Sequence, residues 1–356
     1  MMSNKMADQL GKIDESLLED FIASRCGAYR EEVLVKPGFG RDVSLVELPG
    51  QQVMALTSDP LSLIPTLGLQ ESAWLSVQLM ANDMATTGFA PQYGQFVLNL
   101  PAGFSRDDFK IYWEHIHHYC QNIGMAITGG HTGFVEGQNS TIAGGGTFIS
   151  ILPKDQALTA NQARPGDVLL VTKTAALSSS AILAMSFPKT IKDKLGNETY
   201  QKACASFYNT SSLEEALAAA GSPGEKVVTA MHDVTEGGIS GAIYELAAAS
   251  GCGVRLEKDK VPVGPVQQAI CNLFDLDPMR CIGAGSMIIS CDKSRVRLIH
   301  DRIRAKGIRC TVVGELTENS GGMVLLEDDG SSRPLDYQKT DPYWAAFSNA
   351  YKQGWK

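Results

Sequence analysis

The chain has 356 residues, 44% of them hydrophobic and 20% charged, with a formal charge of −8 and a pI near 5.3. That length suits about two domains, and the acidic balance excludes a sequence-independent basic grip on nucleic acid. No apolar run reaches the roughly 20 residues of a membrane span, and the opening "MMSNKMADQLGK" lacks the apolar core of a secretion signal, so a cytoplasmic protein is expected.

Residues 14–25 predict a short amphipathic helix. "VLVKPGFGRDVSLVEL" alternates and breaks at glycines, as strand, turn and strand. "QQVMALTSDPLSL" predicts an apolar strand that stops at its Asp-Pro step. "ESAWLSVQLMANDMATTG" reads as a helix with Trp74, Val77, Met80, Ala81 and Met84 on one side, ending at Gly88. After the strand "YGQFVLNLP" comes a helix that Ser105 can cap with Asp108 three residues on. Its expected buried face is Phe109, Trp113, Ile116, Cys120 and Ile123. "MAITGG" and "TIAGGGTFISIL" complete an alternating α/β unit.

The turn "RPGD" marks a boundary near residue 160. Residues 173–225 read as helical. A glycine-started helix comes next in "MHDVTEGGISGAIYELAAASG", then strands in "GCGVRLEKDKVPV", "GSMIISC" and "IRCTVVGEL". The expected domains are 1–158 and 159–335, with a tail at 336–356. The eight cysteines form no C-x-x-C pair and read as reduced, packed residues.

Acidic and polar points interrupt the apolar elements of the first half: Asp42, Asp59, Asn82 with Asp83, and His131 after "AITGG". Hard divalent cations take carboxylate oxygens, and Mg²⁺ commonly uses one or two of them together with substrate phosphates. The histidines of "HIHHY" have no accompanying ligand pattern and read as a solvated helix face. "GGG" at 144–146 lacks the Gly-Lys-Ser/Thr of a P-loop and marks close approach of a backbone or ligand. The stretch at 231–251 is more specific. His232, Asp233 and Glu236 precede Gly237 and Gly238, and glycines at a helix N-terminus let an anion approach the N–H groups. A plain capped helix with a tight glycine turn is the other reading of the same residues.

The run "HDVTEGGISGAIYELAAASGCGVRLEKDKVPV" closely resembles the C-terminal domain of the PurM, or AIR synthase, superfamily, nearest to the hydrogenase expression/formation protein HypE and AIR synthase-related proteins. "GFGRDVSLVEL", "TSDP", "ANDMATTGFAPQY", "ITGGHT", "RPGDVLLVTK", "LDPMRCIGAGSMII" and "VVGELTE" are similar, in order, to further landmarks of that superfamily. The resemblance implies a two-domain α/β (α+β) fold whose N-terminal domains pair into a dimeric β-barrel. It implies ATP and Mg²⁺ as cofactors and an enzyme that activates a carbonyl or carboxamide oxygen by phosphoryl transfer. Its acceptor would be a small molecule or a group borne by a partner protein. By the same resemblance Asp42, Asp59 and Asp83 hold metal. Asp42, Asn82 and His131 bind the nucleotide; from the residues of the helix start themselves, Gly237 and Gly238 are expected to meet its phosphates, Asp233 and Glu236 to act in catalysis, and His232 either to act with them or to be a packed histidine. The last cysteine is Cys310, so the terminal-cysteine chemistry of HypE is not expected. A non-catalytic ATP-binding assembly or regulatory protein, or AIR synthase (phosphoribosylformylglycinamidine cyclo-ligase) activity, are the alternatives.

Overall fold

The computed structural model describes residues 10–13 and 15–356. Residues 1–9, most of the N-terminal stretch in which no signal is expected, and Asp14, where the first helix is expected to begin, lie outside the described residues. The first helix is α1 (Glu15–Leu17), which widens at once into a π turn, Leu18–Ala23. None of its side chains is buried, so no packing face regularises it.

The first sheet takes β1 (Val33–Val35), β2 (Ser44–Leu48), β3 (Gln52–Ser62), β4 (Tyr93–Pro101), β5 (Ala126–Val135) and β6 (Ile142–Pro153) in the order β1-β2-β3-β6-β4-β5. Only the β4–β5 pair is parallel. Alternate residues of these strands, among them Val53, Ala55, Phe96, Leu98 and Phe148, bury one face under α2 (Leu69–Ala85) and α3 (Arg106–Asn122). The Ser105 cap holds as expected, accepting the Asp108 N–H at 3.0 Å. Two expectations are corrected. β3 does not stop at Asp59-Pro60 but runs to Ser62. Its pairing with β2 ends at Leu56, so beyond that point it is an edge, where proline is tolerated. The strand expected over "MAITGG" does not end there but runs to Val135, so His131 lies inside β5. The glycines at 130 and 144 allow this, because a Cβ at either would collide with a β4 carbonyl, of Phe96 or Val97.

The second sheet takes β7 (Val168–Thr172), β8 (Ala230–Asp233), β9 (Gly253–Glu257), β10 (Met287–Cys291), β11 (Cys310–Thr317), β12 (Met323–Leu326) and β13 (Ser332–Pro334) in the order β13-β12-β9-β11-β7-β10-β8. The expected helical stretch resolves into α4 (Leu177–Ser186), α5 (Pro188–Leu195), α6 (Asn197–Ser206) and α7 (Leu213–Ala220). The glycine-started helix is α8 (Gly238–Ala249), followed by α9 (Pro265–Leu273) and α10 (Val296–Ala305). The tail forms α11 (Pro342–Lys352), whose Phe347, together with Trp355, packs on Phe187. All eight cysteines are free. Among the described residues no helix is long and apolar enough to cross a membrane.

The two units are joined through α2, which packs on the first sheet and also on β8 and α7. Asn82 is completely buried at that joint. Its amide donates to the Thr210 carbonyl at 2.9 Å and accepts the Ser212 N–H at 2.7 Å. Lys173 fixes the same loop by donating to the Ser211 carbonyl and pairing with Glu215 at 2.6 Å. Losing the Asn82 amide strands two buried backbone groups, at about 1–3 kcal/mol each. Asn82→Ala should therefore lower the thermal midpoint by roughly 5 °C or more; an unchanged melting curve would remove this residue from the joint.

Candidate functional site

The site is built where β8, one edge strand of the second sheet, meets α2, which itself packs on β3 of the first. β8 delivers His232 and Asp233, 1% and 2% exposed. The β1–β2 loop brings Asp42 onto α8. Gly40 makes that approach possible: it has φ +68, and a Cβ there would stand 2.5 Å from the Glu245 carbonyl. Phe39 anchors the loop edge-on against Tyr337, ring centroids 4.9 Å apart.

His232 lies between two carboxylates. Its Nδ1 is 3.2 Å from Asp42 Oδ1 and its Nε2 is 3.1 Å from Glu245 Oε2, the latter contact lacking hydrogen-bond geometry. Tyr337 donates to the other Glu245 oxygen at 2.9 Å. On the first-unit side, Thr57 of β3 donates to Asp83 Oδ2 at 2.7 Å. Asp83 faces Asp233, Asp59 and Asp42, and Asp59 faces Asp233. Five acids from both units, Asp42, Asp59, Asp83, Asp233 and Glu245, therefore share one cleft.

Their titration reflects that crowding. Burial, reinforced by Asp233, pushes Asp59 up to about 7. Burial likewise raises Asp42 to about 7 although His232 opposes it, and lifts Asp83 well above the usual carboxylate range with help from Asp233 and Asp59. Asp233 rises by burial against the pull of His232 and Lys12. For His232 burial disfavours the charge, but Asp42 and Glu245 outweigh it and carry the imidazole up to about 9. Burial raises Glu245, yet Lys12 and His232 overcome it and hold the carboxyl at about 2.

The donor set fits a hard divalent cation. Asp42 and Asp233 offer carboxylate oxygens within 4.8 Å of each other, and Asp42 Oδ2 and Asp233 Oδ2 are buried with no hydrogen-bond partner, while His232, held charged between its carboxylates, is their neighbour and not a ligand. Buried carboxylate oxygens without donors are costly unless a cation meets them, and oxygen ligands of this kind suit Mg²⁺.

The structure does not bring every expected residue here. Asn82 has both ends of its amide engaged at the joint between the units. His131 is exposed on β5, and its neighbour Gly130 aligns with Phe96, Gly146 and Asp59 across β4, β6 and β3. Three strand spacings of about 4.8 Å thus separate it from the carboxylates. At the helix start, the Gly237 N–H donates to Asp341 Oδ2 at 2.7 Å, and the Gly238 N–H to the Thr235 carbonyl at 3.2 Å. Gly238 has φ +64, and a Cβ there would stand 2.6 Å from the Met279 carbonyl and 2.8 Å from that of Cys281. Gly238→Ala would therefore strain the backbone whatever the site binds. Glu236 accepts the Lys12 N–H at 2.9 Å and the Trp344 indole N–H at 3.3 Å.

Sequence reading misses Glu245, Lys12, Tyr337 and Asp341. Glu245 carries a signal: it is the one charged residue between Glu236 and Arg255, in an otherwise apolar helix. The others carry none, because they reach the site from the chain's two ends. Lys12 is exposed as a residue while its ammonium faces Glu245, Asp233 and Asp42, whose attraction outweighs burial and raises it.

Two domain descriptions match the chain: AIR synthase related protein, N-terminal domain, over residues 40–151, and its C-terminal domain over 164–326. The carbamoyl dehydratase HypE of Azotobacter vinelandii is 27% identical over 293 residues, covering 81% of this chain and 82% of that protein. A crystal structure of a HypE–HypF complex matches with TM-score 0.70 at 18% identity, over 90% of this chain and 99% of that one. A HypE in complex with ATP matches with TM-score 0.65 at 18% identity, over 84% and 89%. At these identities the solved structures establish a shared fold.

The raised carboxyls impose a pH dependence. Folded Asp42 and Asp59 hold protons more tightly than unfolded ones, so metal-free stability falls as pH rises from about 4 through 7. The favourable charge on His232 is fully present below its ordinary value of 6.5 and is lost as pH rises through about 9, in the same direction. Metal ligands must be deprotonated. Millimolar Mg²⁺ should accordingly raise the thermal midpoint at pH 8 and scarcely at pH 5; equal shifts at both would argue against carboxylate ligation here.

Proposed function

The chain belongs to the AIR synthase related protein family, and from that premise we propose that it binds ATP with Mg²⁺ at the carboxylate cleft and activates a carbonyl or carboxamide oxygen by phosphoryl transfer. The observation that carries this reading is the convergence of Asp42, Asp59, Asp83 and Asp233 from two units on one buried spot, with orphaned oxygens on Asp42 and Asp233. The HypE that was solved in complex with ATP has the same fold, which supports the nucleotide. Bound there, Mg²⁺ would neutralise phosphate charge, the main task of a phosphoryl-transfer site.

The chain's own residues divide the remaining work. Asp59 and Asp83, on rigid β3 and α2, hold the metal with Asp42. His232, fixed between Asp42 and Glu245, keeps a positive charge under the cleft. Asp233 turns its unpartnered Oδ2 toward the same metal. The start of α8 contributes its positive dipole end, and a phosphate reaching the Gly237 N–H must displace the Asp341 carboxylate. Glu236 grips the segments that border the cleft. The acceptor oxygen attacks the terminal phosphorus, ADP departs, and the phosphorylated oxygen becomes a leaving group.

The acceptor is a small molecule or a group borne by a partner protein; the HypE–HypF complex is a protein assembly on this fold. Residues 336–356 contain no thiol, and Trp355 packs on Phe187 and Phe274, so this tail is not the carrier. We place the domains at 1–158 and 159–335, and the protein in the cytoplasm.

In calorimetry with ATP and Mg²⁺, Asp83→Ala should lose at least about tenfold in affinity, roughly 1.4 kcal/mol; wild-type affinity would take Asp83 out of the site. A second test concerns assembly as a homodimer. No described element covers the outer face of the first sheet, where Val46, Met54 and Ile151 form one cross-strand row and Leu56, Ile149 and Tyr93 another. Tyr93 and Val97 are each 41% exposed and Ile151 38%. A contiguous apolar face of this kind marks an interface. Sedimentation at micromolar concentration should show a dimer that Ile151→Asp shifts to monomer, whereas a monomeric wild type would refute the pairing.

A further inference from the structure

The chain's N-terminal segment, which precedes the first sheet, crosses to the second unit and ends at the carboxylate cleft. Gly11, at φ +95, threads between Glu236 and Trp344; a Cβ there would stand 2.8 Å from the indole nitrogen and collide with the Glu236 carboxylate. The next residue is pinned at both ends. The Lys12 N–H donates to Glu236 Oε2 at 2.9 Å, and the ammonium donates to Thr235 Oγ1 at 3.0 Å. Among the described residues, Lys12 and His232 are the cations that face both Asp42 and Asp233. They differ in freedom. His232 is sealed on β8 between two carboxylates. Lys12 sits on an exposed segment and carries its charge on a four-carbon stem.

We infer that Lys12 binds the terminal phosphate of the nucleotide, and that Gly11 and Glu236 form the latch that delivers it. This assignment rests on the ATP·Mg²⁺ reading of the cleft. A tether alone does not call for a lysine, because the backbone N–H of residue 12 already ties the segment to Glu236. A divalent cation among the carboxylates changes the ammonium's surroundings: it repels the like charge at a few ångströms. The phosphates that arrive with the metal then offer the displaced ammonium a partner within the reach of its stem. Thr235, which holds Lys12 now, stands two residues before Gly237 at the helix start, so the exchange needs only a short swing. The latch itself needs glycine at position 11, since any side chain would be driven into Glu236 and Trp344.

The test is calorimetry on the full chain with Mg²⁺ and three probes: ATP, ADP and adenosine. Lys12→Met should weaken ATP about tenfold, weaken ADP less, and leave adenosine unchanged, with Lys12→Arg restoring most of the ATP affinity. Gly11→Ala should reproduce the Lys12→Met pattern by expelling the segment. Mg²⁺ alone should bind Lys12→Met at least as tightly as wild type, because the competing ammonium is gone. Wild-type affinity of Lys12→Met for all three probes, or an equal loss of ATP and adenosine, overturns the phosphate contact and leaves the nucleotide reading standing. A wild-type chain that binds neither ATP nor ADP overturns both.

Discussion

Mutual repulsion among buried carboxylates is the constraint to which the rest of this molecule answers. Asp42, Asp59, Asp83, Asp233 and Glu245 lie within electrostatic reach of one another, and the facing cations are His232 and Lys12. Left alone, such a group would take up protons, and burial already pushes Asp42 and Asp59 up to about 7. Stability elsewhere must offset this repulsion. The fully packed faces of both sheets and the Asn82 joint do this. On the proposed reading the cleft is a local instability that its ligand would relieve.

The same constraint explains why the acids come from separate units. One rigid element carrying all of them would have to fold against their repulsion. Instead β3 and α2 bring Asp59 and Asp83, the β1–β2 loop brings Asp42, and β8 with α8 brings Asp233 and Glu245. The charges meet only when the units dock, and docking is enforced by neutral contacts: the Asn82 amide, and the Trp74 indole bonded to Thr210 at 2.9 Å. A cleft assembled in this way lies between two bodies, where a ligand can enter.

Much of the fold is legible in the sequence, because local chemistry writes it. Ser105 with Asp108 marks the start of α3, and hydrophobic alternation marks β4. Asp42, Asp59 and Asp83 are legible too, as polar interruptions of apolar elements, and Asp233 as a polar residue before the glycine-started helix, whereas Glu245 is missed. The failures have non-local reasons. Pro60 reads as a strand end, since nothing in the sequence says that β2 stops pairing at Leu56 and leaves β3 an edge. The glycine context of His131 groups it with the acids, whereas the strand order sets it across β6 and β4 from Asp59. Asn82 neighbours Asp83 in sequence, yet successive helix residues point about 100° apart, so one faces the cleft and the other the joint. Lys12 and Asp341 are invisible in the sequence, because each meets its partner across more than 100 residues.

The glycines at the start of α8 show how one sequence feature can answer several demands. Gly237 turns the chain at φ +80 and offers its N–H to an anion, and that anion is the chain's own Asp341. Gly238 is glycine because two carbonyls of the 279–281 loop lie against it, and Gly241 because the Glu236 carbonyl would stand 3.1 Å from its Cβ. Glycine in a helix costs roughly 1 kcal/mol relative to alanine, so this run is unfavourable for the helix taken by itself. Close packing against the loop and the Asp341 cap offset that cost. Two of these three positions are thus fixed by sterics, and only Gly237 has an N–H whose partner can exchange. Of the three glycine N–H groups, the one bonded to a side chain is that of Gly237, held by a carboxylate from the tail. A phosphate that took the Gly237 N–H would displace Asp341, and on the proposed reading nucleotide binding would then be coupled to the segment that packs Trp344 beside Glu236.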